Sequence, residues 1–239
     1  NVTLSMIPGE TILYAVLGGI LPALIWLWFW RREDIHPEPK RLMLLAFIMG
    51  MMSIPFVIPI QKYAATIFSG GLLVLIWAGI EEVLKYGFAY FSVLRNKEMN
   101  EPIDGVIYMI TIALGFAALE NALFLIEPLS SGRITESIIT GNFRFFGATL
   151  LHVLASATVG VCIAFSFYKS TTAKILYTTV GIILATLLHT LFNSSIINGN
   201  GTNILLVFAF VWIGIIILLL TLEKIKSITN RCLSFLKRK

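Results

Sequence analysis

The 239-residue chain contains repeated apolar runs of about 20 residues, each bounded by charged or polar residues. A run of this length matches an α-helix that crosses a bilayer, whereas the strands of a membrane barrel alternate polar and apolar residues. Only 13% of the residues are charged, which is half of the roughly 25% typical of soluble domains. The sequence therefore excludes a water-soluble globule and a disordered chain. It predicts an all-α, polytopic membrane helix bundle.

Seven of the runs are long enough to be transmembrane helices. With the N-terminus outside, the outside loops carry only Lys62 and Arg133, whereas the inside segments carry most of the other basic residues. The positive-inside rule therefore predicts an outside N-terminus and a cytoplasmic C-terminus. The predicted spans are 11–30, 42–60, 72–94, 106–127, 143–168, 173–195 and 203–222.

The chain divides into a predicted membrane domain over residues 1–222 and a basic amphipathic tail over residues 223–239. We expect the tail to lie on the anionic cytoplasmic leaflet, so the bilayer is a partner and nucleic acid is not. Pro55 and Pro59 predict a kink or an interruption in the second span. The polar stretch 128–141 is predicted to be an outer loop and, with the second span, a moving element.

Six ionisable residues lie inside the predicted spans, where a charged side chain at a helix centre costs about 2.5–3.5 kcal/mol. Such residues face the bundle interior, pair with one another and commonly mark a functional site. Four different spans contribute them, yet the residue of each span that lies nearest the outer boundary is predicted about 9–14 Å below it. They are Glu81, Glu82, Lys85, Glu120, His152 and His189.

Helical spacing indicates how these residues pair. Lys85 shares a helix face with Glu81 at i,i+4 and with Glu82 at i,i+3, so it can neutralise one carboxylate and leave the other for acid or base chemistry.

Three further residues are expected to support the site. Asn193 shares a face with His189, and Asn121 is predicted to brace a neighbouring helix. Arg144 lies near the outer boundary, where it either snorkels to the interface or places a cation above the carboxylates.

Several short motifs follow one another in a fixed order. They are Pro37-Glu38-Pro39, Glu81-Glu82-Val83-Leu84-Lys85, Asp104-Gly105-Val106-Ile107-Tyr108, Gly115 to Asn121, His152 with Gly160, and His189. This ordered set resembles the PrsW family of intramembrane proteases, within the wider superfamily of CAAX prenyl endopeptidases and bacteriocin-immunity proteins. Glu120 favours PrsW, because other members of the superfamily carry His there. The resemblance implies a multi-pass protease of a prokaryotic cell membrane that makes the outer-side cut in a membrane-anchored protein, such as an anti-sigma factor.

Peptide hydrolysis at these residues can follow two mechanisms, and the sequence leaves both open. In one, Glu81 or Glu82 activates water, while His152, His189 or Asn193 stabilises the oxyanion. In the other, His152, His189 and a carboxylate such as Glu120 bind Zn²⁺, because two histidines and a carboxylate form a known catalytic zinc set, and a glutamate of the pair acts as the base. No HExxH-type motif makes the metal obligatory.

Two other classes of function place ionisable residues within a membrane. A proton-coupled transporter does so, but this chain has no internal repeat and no polar path across the bilayer. A non-catalytic binding or immunity protein does not require both the acidic residues and the histidines. The sequence does not indicate an oligomeric state.

Overall fold

The computed structural model describes residues 8–34, 36–198 and 201–236, and these residues contain helices and no strand. Two π-helical turns continue the α-helices, at Tyr90–Leu94 after α3 and at Arg144–Ala148 between α5 and α6. The α-helices are α1 (Gly9–Arg31), α2 (Lys40–Ala64), α3 (Gly70–Ala89), α4 (Pro102–Ser130), α5 (Ile134–Phe143), α6 (Thr149–Ser166), α7 (Thr171–Asn198) and α8 (Gly201–Leu236).

Six helical segments of the described chain are long and apolar enough to cross a membrane. The remaining predicted span is α3 with its π-helical turn, which carries Glu81, Glu82 and Lys85. The predicted all-α polytopic bundle is therefore confirmed. The six apolar segments are Gly9–Arg31, Lys40–Ile67, Pro102–Ser130, Ile134–Ser166, Thr171–Ile197 and Leu205–Ser227.

Helix α4 lies at the centre of the bundle and packs against α1, α2 and α6. Its residues from Pro102 to Ala118 are all buried, as expected for a helix that is apolar on every side. Glycines let the neighbouring backbones approach closely: a Cβ added to Gly115 would lie 1.9 Å from the carbonyl oxygen of Phe47 in α2. This tight packing fixes the position of Glu120, which follows the small-residue stretch of α4.

Helices α3, α6 and α7 complete the surroundings of the site. Helix α3 packs against α2 and α7, and α6 packs against α4 and α7. The polar faces of α3, α4, α6 and α7 therefore meet inside the bundle.

Helix α2 is continuous, and Pro55 and Pro59 both lie within its helical range. The predicted interruption is therefore absent, and a kink at these prolines stays a prediction. A second prediction about local structure was wrong. The outer connection 128–141 is not a loop: α4 continues to Ser130, α5 begins at Ile134, and the backbone reverses at Gly132 with φ +69°. Ile134 and Ile138 are spaced at i,i+4 in α5, which is typical of a helix with one apolar face.

Helix α8 continues beyond residue 222 as far as Leu236. Lys226 joins it to the connection after α1, because its ammonium contacts Glu33 at 2.9 Å and Glu223 at 2.7 Å. Side chains beyond Ser227 lie outside the described residues. The position of the basic tail on the cytoplasmic leaflet stays a prediction.

Candidate active site

Glu82 forms a fully buried ion pair with Lys85, at 2.6 Å between Oε1 and Nζ. The same oxygen lies 2.9 Å from Nδ1 of His189 on α7, and Oε2 accepts a 3.0 Å hydrogen bond from Ser156 on α6. Both oxygens of Glu82 are therefore occupied by protein groups. Lys85 neutralises Glu82 and not Glu81, although the helical spacing allowed either pair.

Glu81 has a different environment from its neighbour. Its Oε1 accepts a 2.8 Å hydrogen bond from Nε2 of Gln61, at the outer end of α2. Its Oε2 is buried without a hydrogen-bond partner among the described residues. This oxygen lies 3.6 Å from Nε2 of His189.

The hydrogen bonds of His189 determine which of its ring nitrogens can accept a hydrogen bond. Nδ1 faces the Glu82 carboxylate and therefore carries the proton, which leaves a lone pair on Nε2. Nε2 and the free oxygen of Glu81 are then two acceptors that face each other. One water molecule can donate a hydrogen bond to each of them.

His152 on α6 links the Glu82–Lys85 pair to Glu120. Its Nδ1 lies 3.2 Å from Nζ of Lys85, and its Nε2 lies 3.0 Å from Oε2 of Glu120. An ammonium group can only donate, so Nδ1 accepts and the imidazole proton is on Nε2. The ring of His152 also packs edge-on against that of His189, with 4.9 Å between centroids.

Arg144 holds the outer side of the cluster. Its Nη2 donates to Glu120, and its Nε donates a 2.5 Å hydrogen bond to Oδ1 of Asn121. Asn121 in turn donates to Thr149 on α6 at 2.9 Å, so it braces the neighbouring helix. Arg144 lies in the π-helical turn, a feature that often occurs at functional sites.

Several polar contacts of the cluster were not predicted. Ser156 lies four residues after His152 on the same helix face, so spacing along α6 could have identified it. Gln61 gave no such signal, because it lies beside Lys62 at the end of an apolar run. Asn193 was predicted to join the site, but it is half-buried and its side chain makes no hydrogen bond to the described residues.

The structure brings one carboxylate close to both imidazoles. Potential ligand atoms of Glu81, His152 and His189 lie within 4.8 Å of one another, and all three residues are buried. Glu120, which the sequence placed in the candidate zinc set, is instead bound by Arg144 and His152.

Comparisons with known proteins point to one family. A family model described as PrsW family intramembrane metalloprotease matches residues 38–220. No solved structure matches the chain.

Curated relatives carry the same family name. The chain is 27% identical over 187 residues to Protease PrsW of Bacillus subtilis, covering 74% of this chain and 80% of that protein. It is 28% identical over 163 residues to Protease PrsW of Geobacillus kaustophilus, covering 65% and 66% of the two chains. The match to Protease PrsW of Clostridioides difficile is 24% identical and covers 90% and 91%.

Proposed function

The chain belongs to the PrsW family of intramembrane proteases, and we propose that it hydrolyses a membrane-anchored protein near the outer side of a prokaryotic cell membrane. The substrate that we propose is a single-span anti-sigma factor, which is cut first at this site. The family membership confirms the resemblance seen in the sequence. The outer-side position of the cut rests on the predicted orientation and on the depth of the ionisable residues.

One observation carries the assignment of the general base: Glu81 has a free, buried Oε2 that faces Nε2 of His189 at 3.6 Å. A general base must lie within hydrogen-bond reach of the water that it activates. In this proposal, Oε2 of Glu81 removes a proton from water as the water oxygen attacks the peptide carbonyl. Glu81 then gives that proton to the leaving amine.

Glu82 has a positioning role in this mechanism. Its oxygens already accept from Lys85, His189 and Ser156, so neither is free for water. It orients the imidazole of His189 and neutralises the buried ammonium. The two adjacent glutamates therefore have separate roles.

His152 is the proposed donor to the oxyanion, because its Nε2 carries a proton. In the structure this proton points to Glu120, which Arg144 also binds. Substrate binding would bring the carbonyl oxygen into competition with Glu120 for this proton. Glu120 and Arg144 position the imidazole until then.

The family description includes a metal, and the hydrogen bonds test whether the residues fit one. Glu81 and His189 fit, because Oε2 and Nε2 are free and the Glu82 carboxylate holds Nδ1 of the imidazole. His152 does not fit: a metal on Nε2 would require a proton on Nδ1, which faces the Lys85 ammonium at 3.2 Å. The residues do not supply the three ligands of a catalytic zinc site. We therefore propose hydrolysis without a metal.

Co-expression with a tagged single-span anti-sigma factor tests this function. We expect an outer-side fragment with the wild type and with Glu10→Gln, which changes an exposed carboxylate, and no fragment with Glu81→Gln. If all three proteins yield the same fragment, Glu81 is not the general base and the proposed mechanism is wrong. If none of the three yields a fragment, the anti-sigma substrate is wrong.

Metal analysis of the purified protein tests the proposal that hydrolysis does not require a metal. We expect full cleavage after chelation, in protein whose zinc content has been measured as negligible. Cleavage that is lost on chelation and restored by Zn²⁺ would contradict the metal-free mechanism.

A further inference from the structure

Two of the sequence motifs have no place in the protease chemistry, yet they meet at the inner end of the bundle. Glu38 belongs to the connection between α1 and α2, and Asp104 lies in the first turn of α4. Asp34 joins them from the same connection as Glu38. Carboxylate oxygens of the three residues lie within 4.8 Å of one another, and all three residues are buried.

Each of the three carboxylates accepts a hydrogen bond from another group. Oδ2 of Asp104 accepts from the backbone N–H groups of Asn100 at 2.8 Å and Glu101 at 2.7 Å. Oδ1 of Asp34 accepts from the backbone N–H of His36 at 3.0 Å. Oε2 of Glu38 accepts from the hydroxyl group of Tyr108, one turn after Asp104.

The second carboxylate oxygen of Asp34 gives independent support for a ligand site. Oδ2 is buried and has no hydrogen-bond partner among the described residues, and the residue is only 5% exposed. A buried carboxylate oxygen that accepts no hydrogen bond loses its hydration without replacement, which is unfavourable. It points to a ligand that binds here.

Basic side chains do not neutralise this cluster. None of the ion pairs in the described part of the chain involves Asp34, Glu38 or Asp104, and the nearby His36 pairs with Glu101. Three carboxyl groups this close together need protons or a cation to balance their charge.

We propose that Asp34, Glu38 and Asp104 bind one hard divalent cation, Mg²⁺ or Ca²⁺. Both ions prefer carboxylate oxygens, and they complete their coordination with backbone carbonyls or water. The cation would hold the α1–α2 connection against the start of α4. Asp104 and Glu120 are 16 residues apart on the same helix, which corresponds to about 24 Å, so the cation site is separate from the hydrolytic site.

Thermal unfolding of the full chain in detergent tests this site. After chelation and dialysis, we expect Mg²⁺ or Ca²⁺ to raise the midpoint in a saturable way, by about 5 °C at saturation. Isothermal titration calorimetry with each metal alone should show one binding site.

Asp34→Asn is the informative variant, because it retains Oδ1 as the acceptor for His36 and replaces only the unpartnered oxygen. We expect it to fold and to lose the response to the metals by at least tenfold in affinity. Glu98→Gln, which changes a nearby carboxylate outside the three, should keep the response. A wild-type protein that responds to neither ion overturns the proposal and identifies protons as the balancing charge. An Asp34→Asn variant that responds like the wild type also overturns it, because the metal then binds elsewhere.

Discussion

Gln61 donates a 2.8 Å hydrogen bond to Oε1 of Glu81, which leaves Oε2 of that carboxylate facing His189 without a partner. Trp77 fixes Gln61 in turn, because its indole Nε1 donates to the Gln61 backbone carbonyl at 3.0 Å. The orientation of the proposed base therefore depends on a residue of α2 that lies outside the family motifs.

Replacing Gln61 should weaken cleavage without unfolding the protein. We expect Gln61→Ala to lower kcat about tenfold, the usual effect of losing one hydrogen bond to a charged group. Gln61→Glu should lower it further, because two carboxylates would then face each other. Kinetics with purified protein and substrate give the values, and Lys62→Ala, at an exposed neighbour, is the control. A kcat that is unchanged in both Gln61 variants would rule out the positioning role.

Replacing Glu81 and replacing Glu82 should have different effects on cleavage and on stability. Glu81→Gln should reduce cleavage by about 10²–10⁴-fold, the usual contribution of a general base, and leave thermal unfolding unchanged. Glu82→Gln should also destabilise the fold by about 3–5 kcal/mol, because Lys85 would stay buried without its counter-ion. Cleavage assays and unfolding curves on both variants separate the two roles, and equal stabilities would contradict this assignment.

Removing both charges of the buried pair should be better tolerated than removing one. We expect Lys85→Met combined with Glu82→Gln to unfold at a higher temperature than either single variant, since no uncompensated charge remains. Lys62→Met, which removes an exposed ammonium, is the control and should unfold like the wild type. If the double variant is the least stable of the three, then the pair does not behave as one unit.

Arg144 should not be replaceable by lysine. Its guanidinium contacts Glu120 and Asn121 at once, and a lysine ammonium lacks this planar fork. We expect Arg144→Lys to lower cleavage about tenfold, as for one lost charge-assisted hydrogen bond. Arg133→Lys, at the exposed outer turn, should have no effect on cleavage. Wild-type activity in Arg144→Lys would show that cleavage does not depend on the simultaneous contact with Glu120 and Asn121.

Two glycine substitutions test the packing that holds α4 in place. Gly115→Ala should destabilise the protein by about 1–3 kcal/mol, since its Cβ would overlap the Phe47 carbonyl oxygen. Gly87→Ala should stabilise it by up to about 1 kcal/mol, because no neighbour lies within 4 Å of the added atom. Chemical or thermal unfolding in detergent compares them, and the same sign for both variants would count against close packing at Gly115.

The sequence by itself determined the class of the fold and the residues that meet in its interior. Lipid offers no hydrogen bonds to a backbone, so long apolar runs must form helices. Charged residues within such runs must find one another, which is why the positions of Glu81, Lys85 and His152 along the chain suffice to group them. Both inferences rest on solvation, which depends on residue type and position along the chain.

Only the tertiary structure decided which of these residues contact each other. Helical spacing allowed Lys85 to pair with either glutamate, and it gave no reason to include Gln61. Ser156 and His189 approach Glu82, whereas Gln61 approaches Glu81, because of how three separate helices pack around α3. Spacing along one helix sets the face on which a side chain lies, but its partner depends on the rotation and depth of the neighbouring helices.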